Sequence, residues 1–278
     1  MPVLYLVATP IGNLEDVTLR ALRVLKEVSL IAAEDTRTAR KLLAHYGIKA
    51  RLLSYHSRNW RNRIPRILAH LKEGDVALIS EAGMPAISDP GQELVASAAA
   101  AGFRVVPIPG PSALVTALAV SGIPAREFTF LGFLPRRKKE RQEALSRAAA
   151  EGRALIFLEA PHRLRAFLQD LLEVMGDRRV AVCRELTKAF EEVFRGKISE
   201  ALAHFQSPRG EFTVVVEGAP PHQEKTLSED LLRQEMARLR AQGLRAKEAA
   251  AQLSQRFGVP KRLAYRLWLE AEGHTSIR

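Results

Sequence analysis

Two acids and a base stand together in Glu34-Asp35-Thr36-Arg37, directly after the apolar run Leu30–Ala33. Carboxylates at the carboxyl end of a buried strand are placed to take or orient a proton, and a neighbouring guanidinium is placed to meet an anion. Asp35 also has a structural use as N-cap of a helix running to Gly47, but capping explains neither Glu34 nor an arginine in the first turn. Three further loops follow apolar runs in the same way. Ala8-Thr9-Pro10-Ile11-Gly12-Asn13-Leu14 lacks the glycine spacing of a dinucleotide loop and the Gly-Lys-Ser/Thr of a triphosphate loop, so it is a tight turn or a different kind of ligand loop. Ser80-Glu81-Ala82-Gly83-Met84-Pro85-Ala86-Ile87-Ser88-Asp89-Pro90-Gly91 ends in a helix start, with Asp89 as N-cap and Pro90 at the first position. The residues before Asp89 are not needed for a cap, and their small side chains suit close backbone approach to a flat ligand such as adenine. In Pro107-Ile108-Pro109-Gly110-Pro111-Ser112-Ala113 the prolines hold a rigid bend and Ser112 can cap the next helix.

The elements that must position these loops alternate. Val3–Ala8, Leu30–Ala33, Leu52–Tyr55, Val76–Ser80 and Arg104–Ile108 read as buried strands. Leu19–Lys26, Ala39–Tyr46, Asn62–Lys72, Gln92–Ala101 and Ser112–Val120 read as helices between and after them. Such βα repetition implies a parallel sheet with ligand loops at the carboxyl ends of its strands. Beyond Gly122–Arg126 a second α/β part is expected, with strands Ala154–Leu158, Val180–Arg184 and Phe212–Glu217 and helices Leu164–Met175 and Ile198–Phe205. The linker Gly218-Ala219-Pro220-Pro221 then leads to helices Leu227–Gln242, Ala246–Phe257 and Pro260–Glu270, with a helix-turn-helix look. The expected domains are 1–122, 123–220 and 221–278.

The chain of 278 residues carries 42 Lys+Arg against 31 Asp+Glu, a net charge of +11, and 31 of the 42 bases are arginine. An anionic partner and a solvated basic surface are both compatible with that surplus, which is spread along the chain rather than gathered in a tail. The single cysteine, Cys183, excludes an intramolecular disulfide and lies in an apolar run, as a buried small residue would. The histidines lack ligand-like spacing, so no metal is expected. With no charged leader and no apolar stretch of membrane-spanning length, a soluble cytoplasmic protein is expected.

Taken together, Ala8–Asn13, Ala33–Arg37, Ser80–Gly91 and Ile108–Ala113, then Leu158-Glu159-Ala160-Pro161-His162-Arg163, Cys183-Arg184-Glu185-Leu186-Thr187-Lys188 and Gly210-Glu211-Phe212-Thr213, resemble the ribosomal RNA small subunit methyltransferase I family. Seven blocks in order and in spacing carry the resemblance from residue 1 to about 218. It implies the tetrapyrrole-methylase fold, two α/β domains with S-adenosylmethionine in the cleft between them, commonly as a homodimer, and 2′-O-methylation of a cytidine at the decoding centre of 16S rRNA. The implied cofactor contacts are Thr9, Pro10 and Gly12; Ser80, Glu81, Ala82, Met84 and Ile87; Gly110, Ser112 and Ala113; and Leu158, Glu159 and Thr213. The porphyrin-precursor methylases have a glycine-rich first turn and a Gly-Asp-Pro loop where this chain has Pro10-Ile11-Gly12-Asn13 and Ala82-Gly83-Met84-Pro85, which favours the RNA branch. Methylation of a small tetrapyrrole and non-catalytic nucleic-acid binding are the competing readings.

For methyl transfer to a ribose hydroxyl the catalytic candidates are Glu34, Asp35, Glu81 and Lys188, the last as a lysine held neutral by burial. Glu34 or Glu81 is favoured as base or hydroxyl-orienting group, with Arg37 and Lys188 on RNA phosphate. Arg58, Trp60, Arg61 and Arg63 combine an aromatic with three bases, which suits an unpaired nucleotide, although Trp60 packed under its loop is the other reading. Arg136, Arg137, Lys138 and Lys139 belong to five bases in six residues ending at Arg141. At a helix start they oppose the dipole, which argues for phosphate rather than stability. Arg262 and Arg266 on the last helix either meet phosphate or form a solvated face.

Overall fold

The computed structural model describes residues 2–220, 229–257 and 259–273. The chain divides into two compact units, Met1–Ala219 and Pro220–Arg278.

The first unit holds two five-stranded sheets. Strands β1 (Val3–Val7), β2 (Leu30–Ala33), β3 (Leu52–Ser54), β4 (Val76–Ile79) and β5 (Arg104–Ile108) are all parallel, in the order β3-β2-β4-β1-β5. Strands β2 and β4 are buried at every position, which is why their sequences are unbroken apolar runs rather than alternating ones. The intervening helices are α1 (Leu19–Glu27), α2 (Thr36–His45), α3 (Trp60–His70), α4 (Gln92–Ala100) and α5 (Ala113–Val120). Thr18 caps α1 by accepting the Ala21 N–H at 3.1 Å, and Asp35 caps α2 by accepting that of Arg37 at 2.7 Å. Asp89 does not cap α4. The loop turns through left-handed Gly83 and Ala86, Gln92 Nε2 donates back to the Ala86 carbonyl at 3.2 Å, and the helix begins only after Gly91. Ser112 precedes α5 without a side-chain capping bond.

The second sheet runs β6 (Phe128–Gly132), β7 (Ala154–Glu159), β10 (Phe212–Val216), β8 (Arg179–Arg184), β9 (Glu192–Lys197). Strand β6 is parallel to β7 and the other pairs are antiparallel. The two strands absent from the sequence expectation, β6 and β9, are its edges. One is broken by a bulge between Phe130 and Gly132, and the other is a half-exposed, charged Glu192–Lys197, so neither reads as a buried run. Helices α6 (Lys138–Ala148), α7 (Pro161–Met175) and α8 (Ile198–His204) pack on this sheet's core around Leu155, Phe157, Leu168 and Val214.

The second unit contains α9 (Glu229–Ala241), α10 (Ala246–Phe257) and α11 (Lys261–Gly273), closed around Leu232, Met236, Leu253, Leu267 and Trp268. The expected helix start at Leu227, the linker residue Pro221 and the turn residue Gly258 lie outside the described residues.

Candidate functional site

Parallel topology gathers the strand-end loops of the first sheet, and antiparallel pairing gathers the matching end of the second. Thr213 on β10 is in register with Leu158 on β7 and with Cys183 on β8, so three neighbouring strands present one row. Between that row and the first-sheet loops lies a cleft of about 410 Å³. It is lined by Glu34, Glu81, Ala82, Met84, Ile87, Ser112, Ala113, Leu158, Glu159 and Thr213 among the residues expected from sequence. Ile11, within the expected first turn, lines it too, as do Asp89, Phe130, Phe133, Leu186 and Glu211, which were not foreseen. Apolar side chains at strand ends look like core in a sequence, and Asp89 was absorbed by its capping role.

Five expected contacts lie outside the lining. Thr9 and Gly83 exchange backbone hydrogen bonds at 2.9 and 3.0 Å, which pins the first turn to the long loop. The Ser80 hydroxyl donates within its own loop, 3.2 Å from the Gly83 carbonyl. Gly110 packs so closely on Ala8 that a Cβ there would lie 3.0 Å from the Ala8 Cβ. At Gly12 a Cβ would lie 2.5 Å from Lys188 Cγ and 2.7 Å from the Leu186 carbonyl oxygen, so the turn is glycine because the second sheet's loop comes against it. Pro10 adjoins this turn and does not line the cleft. The loop that meets Gly12 carries Glu185 and Thr187 at φ 49° and 67°, left-handed values that cost energy for residues with a Cβ, most of all for a β-branched one. Thr187 Oγ1 accepts the Asn13 N–H at 3.0 Å, which fastens the two halves of the unit together.

The titratable groups divide into two kinds. Burial, followed by the charge of Asp89, raises the Glu34 carboxyl above its ordinary value, and burial likewise raises Asp89 and Glu159. Glu159 is the most enclosed: one oxygen accepts the Ala160 N–H at 2.8 Å while the other is buried without a partner. Burial also pushes the Cys183 thiol up to about 12, so it remains a protonated, apolar wall. Lys188 departs from the expectation of a neutral lysine. Burial opposes its charge, but Glu211 at 2.9 Å and Glu185 at 3.0 Å outweigh burial and hold the ammonium above its ordinary value. An ammonium fixed between two carboxylates is a tie in the second sheet's loop and has no lone pair with which to accept a proton.

A second hollow, about 380 Å³, opens beside the cleft and shares Glu34 with it. Asp35, Arg37 and Arg58 line it, and Asp35 is held down to about 2 by its hydrogen bonds to Arg37. Among the described residues no group of three or more His, Cys, Asp or Glu is arranged to hold a metal, and no helix is long and apolar enough to cross a membrane.

Residues 3–202 match the family model of tetrapyrrole (corrin/porphyrin) methylases. A ribosomal RNA small subunit methyltransferase I of Halalkalibacterium halodurans is 49% identical, with 95% of this chain and 94% of that protein covered. One of Thermotoga maritima is 53% identical over 77% of this chain and 98% of its own length. The chain belongs to the ribosomal RNA small subunit methyltransferase I family. Its fold is shared with the methyltransferase CobJ, at TM-score 0.61 and 20% identity over 79% of this chain and 95% of that one. It is shared too with the uroporphyrin-III C-methyl transferase of Thermus thermophilus, whose structure holds S-adenyl homocysteine, at TM-score 0.57 and 20% identity over 78% and 97%. As a member of the ribosomal RNA small subunit methyltransferase I family the chain is an S-adenosylmethionine-dependent methyltransferase that acts on RNA.

The basic residues expected to meet that RNA are only partly free to do so. Arg136, Arg137, Lys138 and Lys139 are exposed, but Lys138 stands 3.4 Å from Glu173 and 3.8 Å from the buried Asp170. Arg141, from the same run, is buried and bonded through Nε to Asp170 at 2.6 Å, so part of the run does stabilise the fold, contrary to the helix-dipole argument. Trp60 is half-buried against the core that contains Tyr55 and Ile64, with the Arg61 guanidinium over its ring at 5.2 Å, so it packs under its loop. Arg63 is half-buried on the same helix. Arg262 and Arg266 lie on α11, where Arg266 pairs with Glu270 at 3.6 Å.

Proposed function

We propose that this methyltransferase modifies the ribose 2′-hydroxyl of a cytidine in 16S rRNA of the small ribosomal subunit, working in the cytoplasm as a homodimer. The observation that carries this reading is Glu34, whose carboxyl joins a largely apolar cleft to a polar hollow. The cleft residues fit S-adenosylmethionine: Met84, Ile87 and Leu158 offer faces for adenine, the orphaned buried oxygen of Glu159 calls for a donor, and Glu34, Glu81 and Asp89 suit a cation. When bound, that group supplies an activated methyl carbon on a positively charged sulfur.

The chain's own task is to hold the acceptor oxygen in line and to receive its proton. Positioning of this kind can contribute about 7–11 kcal/mol to lowering a barrier. Glu34 is the better proton acceptor because burial and neighbouring carboxylates make it more basic than an ordinary glutamate. Glu81, whose backbone N–H meets Glu34, orients it. Arg136, Arg137 and Lys139 lie on one exposed segment beside the second sheet, a surface for RNA phosphate. The homodimer draws support from α5, an apolar helix whose Val115 and Val120 are exposed.

Methyl transfer from labelled S-adenosylmethionine to isolated 30S subunits and to naked rRNA, with the product nucleoside identified, tests the reading. Label at a cytidine 2′-oxygen is expected; label on neither RNA substrate overturns it.

A further inference from the structure

We infer that the polar hollow next to Glu34 is a pocket for the base of the nucleotide being methylated, and that it reads the amino edge of cytosine. The inference rests on the reading that the acceptor is a cytidine ribose at Glu34. With the methyl donor in the apolar cleft, the base attached to that ribose needs a second space, and unpaired RNA bases are commonly splayed out and read on their edges by protein surfaces. Every residue lining the hollow is polar, which suits the edge of a pyrimidine.

The groups it presents are complementary to cytosine. Asp35 is an acceptor, kept ionised by Arg37 and fixed in place by it: Arg37 Nη2 donates to Oδ2 at 2.7 Å, and the Arg37 N–H donates to Oδ1 at 2.7 Å. The fork uses Nε and Nη2 of Arg37 and leaves Nη1 to donate elsewhere. Arg58 adds a second guanidinium to the lining. Cytosine offers an amino donor beside a ring nitrogen and a carbonyl that accept, whereas uracil puts a carbonyl oxygen where the amino group was, facing the carboxylate. A flat surface is also present. The His56 ring lines the hollow, and its Nδ1 accepts the Arg58 N–H at 3.2 Å. A phosphate fits less well, because Glu34 and Asp35 offset Arg37 and Arg58.

The test uses the full-length protein and reconstituted 30S subunits with cytidine or uridine at the methylated position. The wild type is expected to favour cytidine by about 10-fold or more in kcat/KM. In Asp35→Asn, whose side-chain oxygen can still cap α2, that preference should fall below about 3-fold or reverse, with S-adenosylmethionine affinity by calorimetry unchanged. Arg58→Gln should raise KM for the cytidine substrate. A preference retained in Asp35→Asn, or an equal loss on both substrates, overturns the base pocket while leaving the ribose reading intact. Methylation of neither substrate by the wild type overturns both.

Discussion

The Glu34 carboxylate accepts the backbone N–H of Glu81 at 3.4 Å, across the ends of the neighbouring parallel strands β2 and β4. Two loops 47 positions apart are thereby joined at the mouth of the cleft. The bond aims one carboxylate oxygen, while the Glu81 and Asp89 carboxylates nearby make ionisation of Glu34 harder. In the proposed reaction, the same neighbours that suit a cationic methyl donor tune the proposed proton acceptor.

Replacing Glu34 by Gln keeps the shape and removes the proposed base. The expected loss in single-turnover rate is about 10²–10⁴-fold, with S-adenosylmethionine affinity within about 3-fold of wild type. Since the ionised form accepts the proton, wild-type kcat/KM should fall on acidification through a value above the ordinary glutamate range. A wild-type profile flat from pH 4 to 8, or full activity in Glu34→Gln, would sink the assignment.

The same side chain has the opposite effect on stability. A carboxyl whose folded value is raised binds its proton more tightly in the folded state, so it supports folding below its ordinary value and costs stability as pH rises through the folded value. Glu34→Gln and Asp89→Asn should each melt at a higher temperature than wild type at pH 8, with the gain shrinking towards pH 4. Calorimetric scans across that range check the sign; a lower Tm at pH 8 contradicts it.

Much of this was legible in the residues. Unbroken apolar runs such as Val76–Ile79 announced a parallel sheet, and a parallel sheet places its carboxyl-end loops together, which located Glu34 and Glu81. What stayed hidden depended on the partner across the space. Lys188 reads in sequence as a candidate base, and only the fold brings Glu211 against it from 23 positions away. Arg141 reads as one base in a basic run, and only α7 supplies Asp170 to bury it. Strands β6 and β9 escaped because edge strands lack the pattern that burial imposes.

The close approach at Gly12 gives a third expectation. A methyl group there meets the Leu186 carbonyl oxygen and Thr187 Oγ1 at 2.7 Å, and the backbone of the strained 185–188 loop has to shift. Gly12→Ala should lose about 1–3 kcal/mol of stability and weaken S-adenosylmethionine binding about 10-fold, since Leu186 lines the cleft. Calorimetric titration alongside urea unfolding reads both quantities, and unchanged binding would show that the loop is not coupled to the site.

The buried Arg141–Asp170 pair predicts a structural defect without a specific binding defect. Arg141→Met strands Asp170, which is nearly inaccessible, and should cost about 3–5 kcal/mol. Replacing both partners, Arg141→Met with Asp170→Leu, should recover most of that loss, as measured by urea unfolding of the full chain. A single variant within about 0.5 kcal/mol of wild type would mean that the remaining partners of Asp170, Lys138 and Gln142, suffice.

The exposed members of the same run should behave in the reverse way. Arg136 and Lys139 are solvent-facing, so Arg136→Ala and Lys139→Ala should leave unfolding within about 0.5 kcal/mol of wild type. Each phosphate contact to single-stranded RNA contributes roughly 0.7 to the slope of log affinity against log salt. If both side chains meet phosphate, the double variant should therefore flatten that slope by about 1.4 when filter binding to 16S rRNA is followed from 50 to 300 mM salt. An unchanged slope with weaker binding would place the RNA elsewhere and make the loss an indirect one.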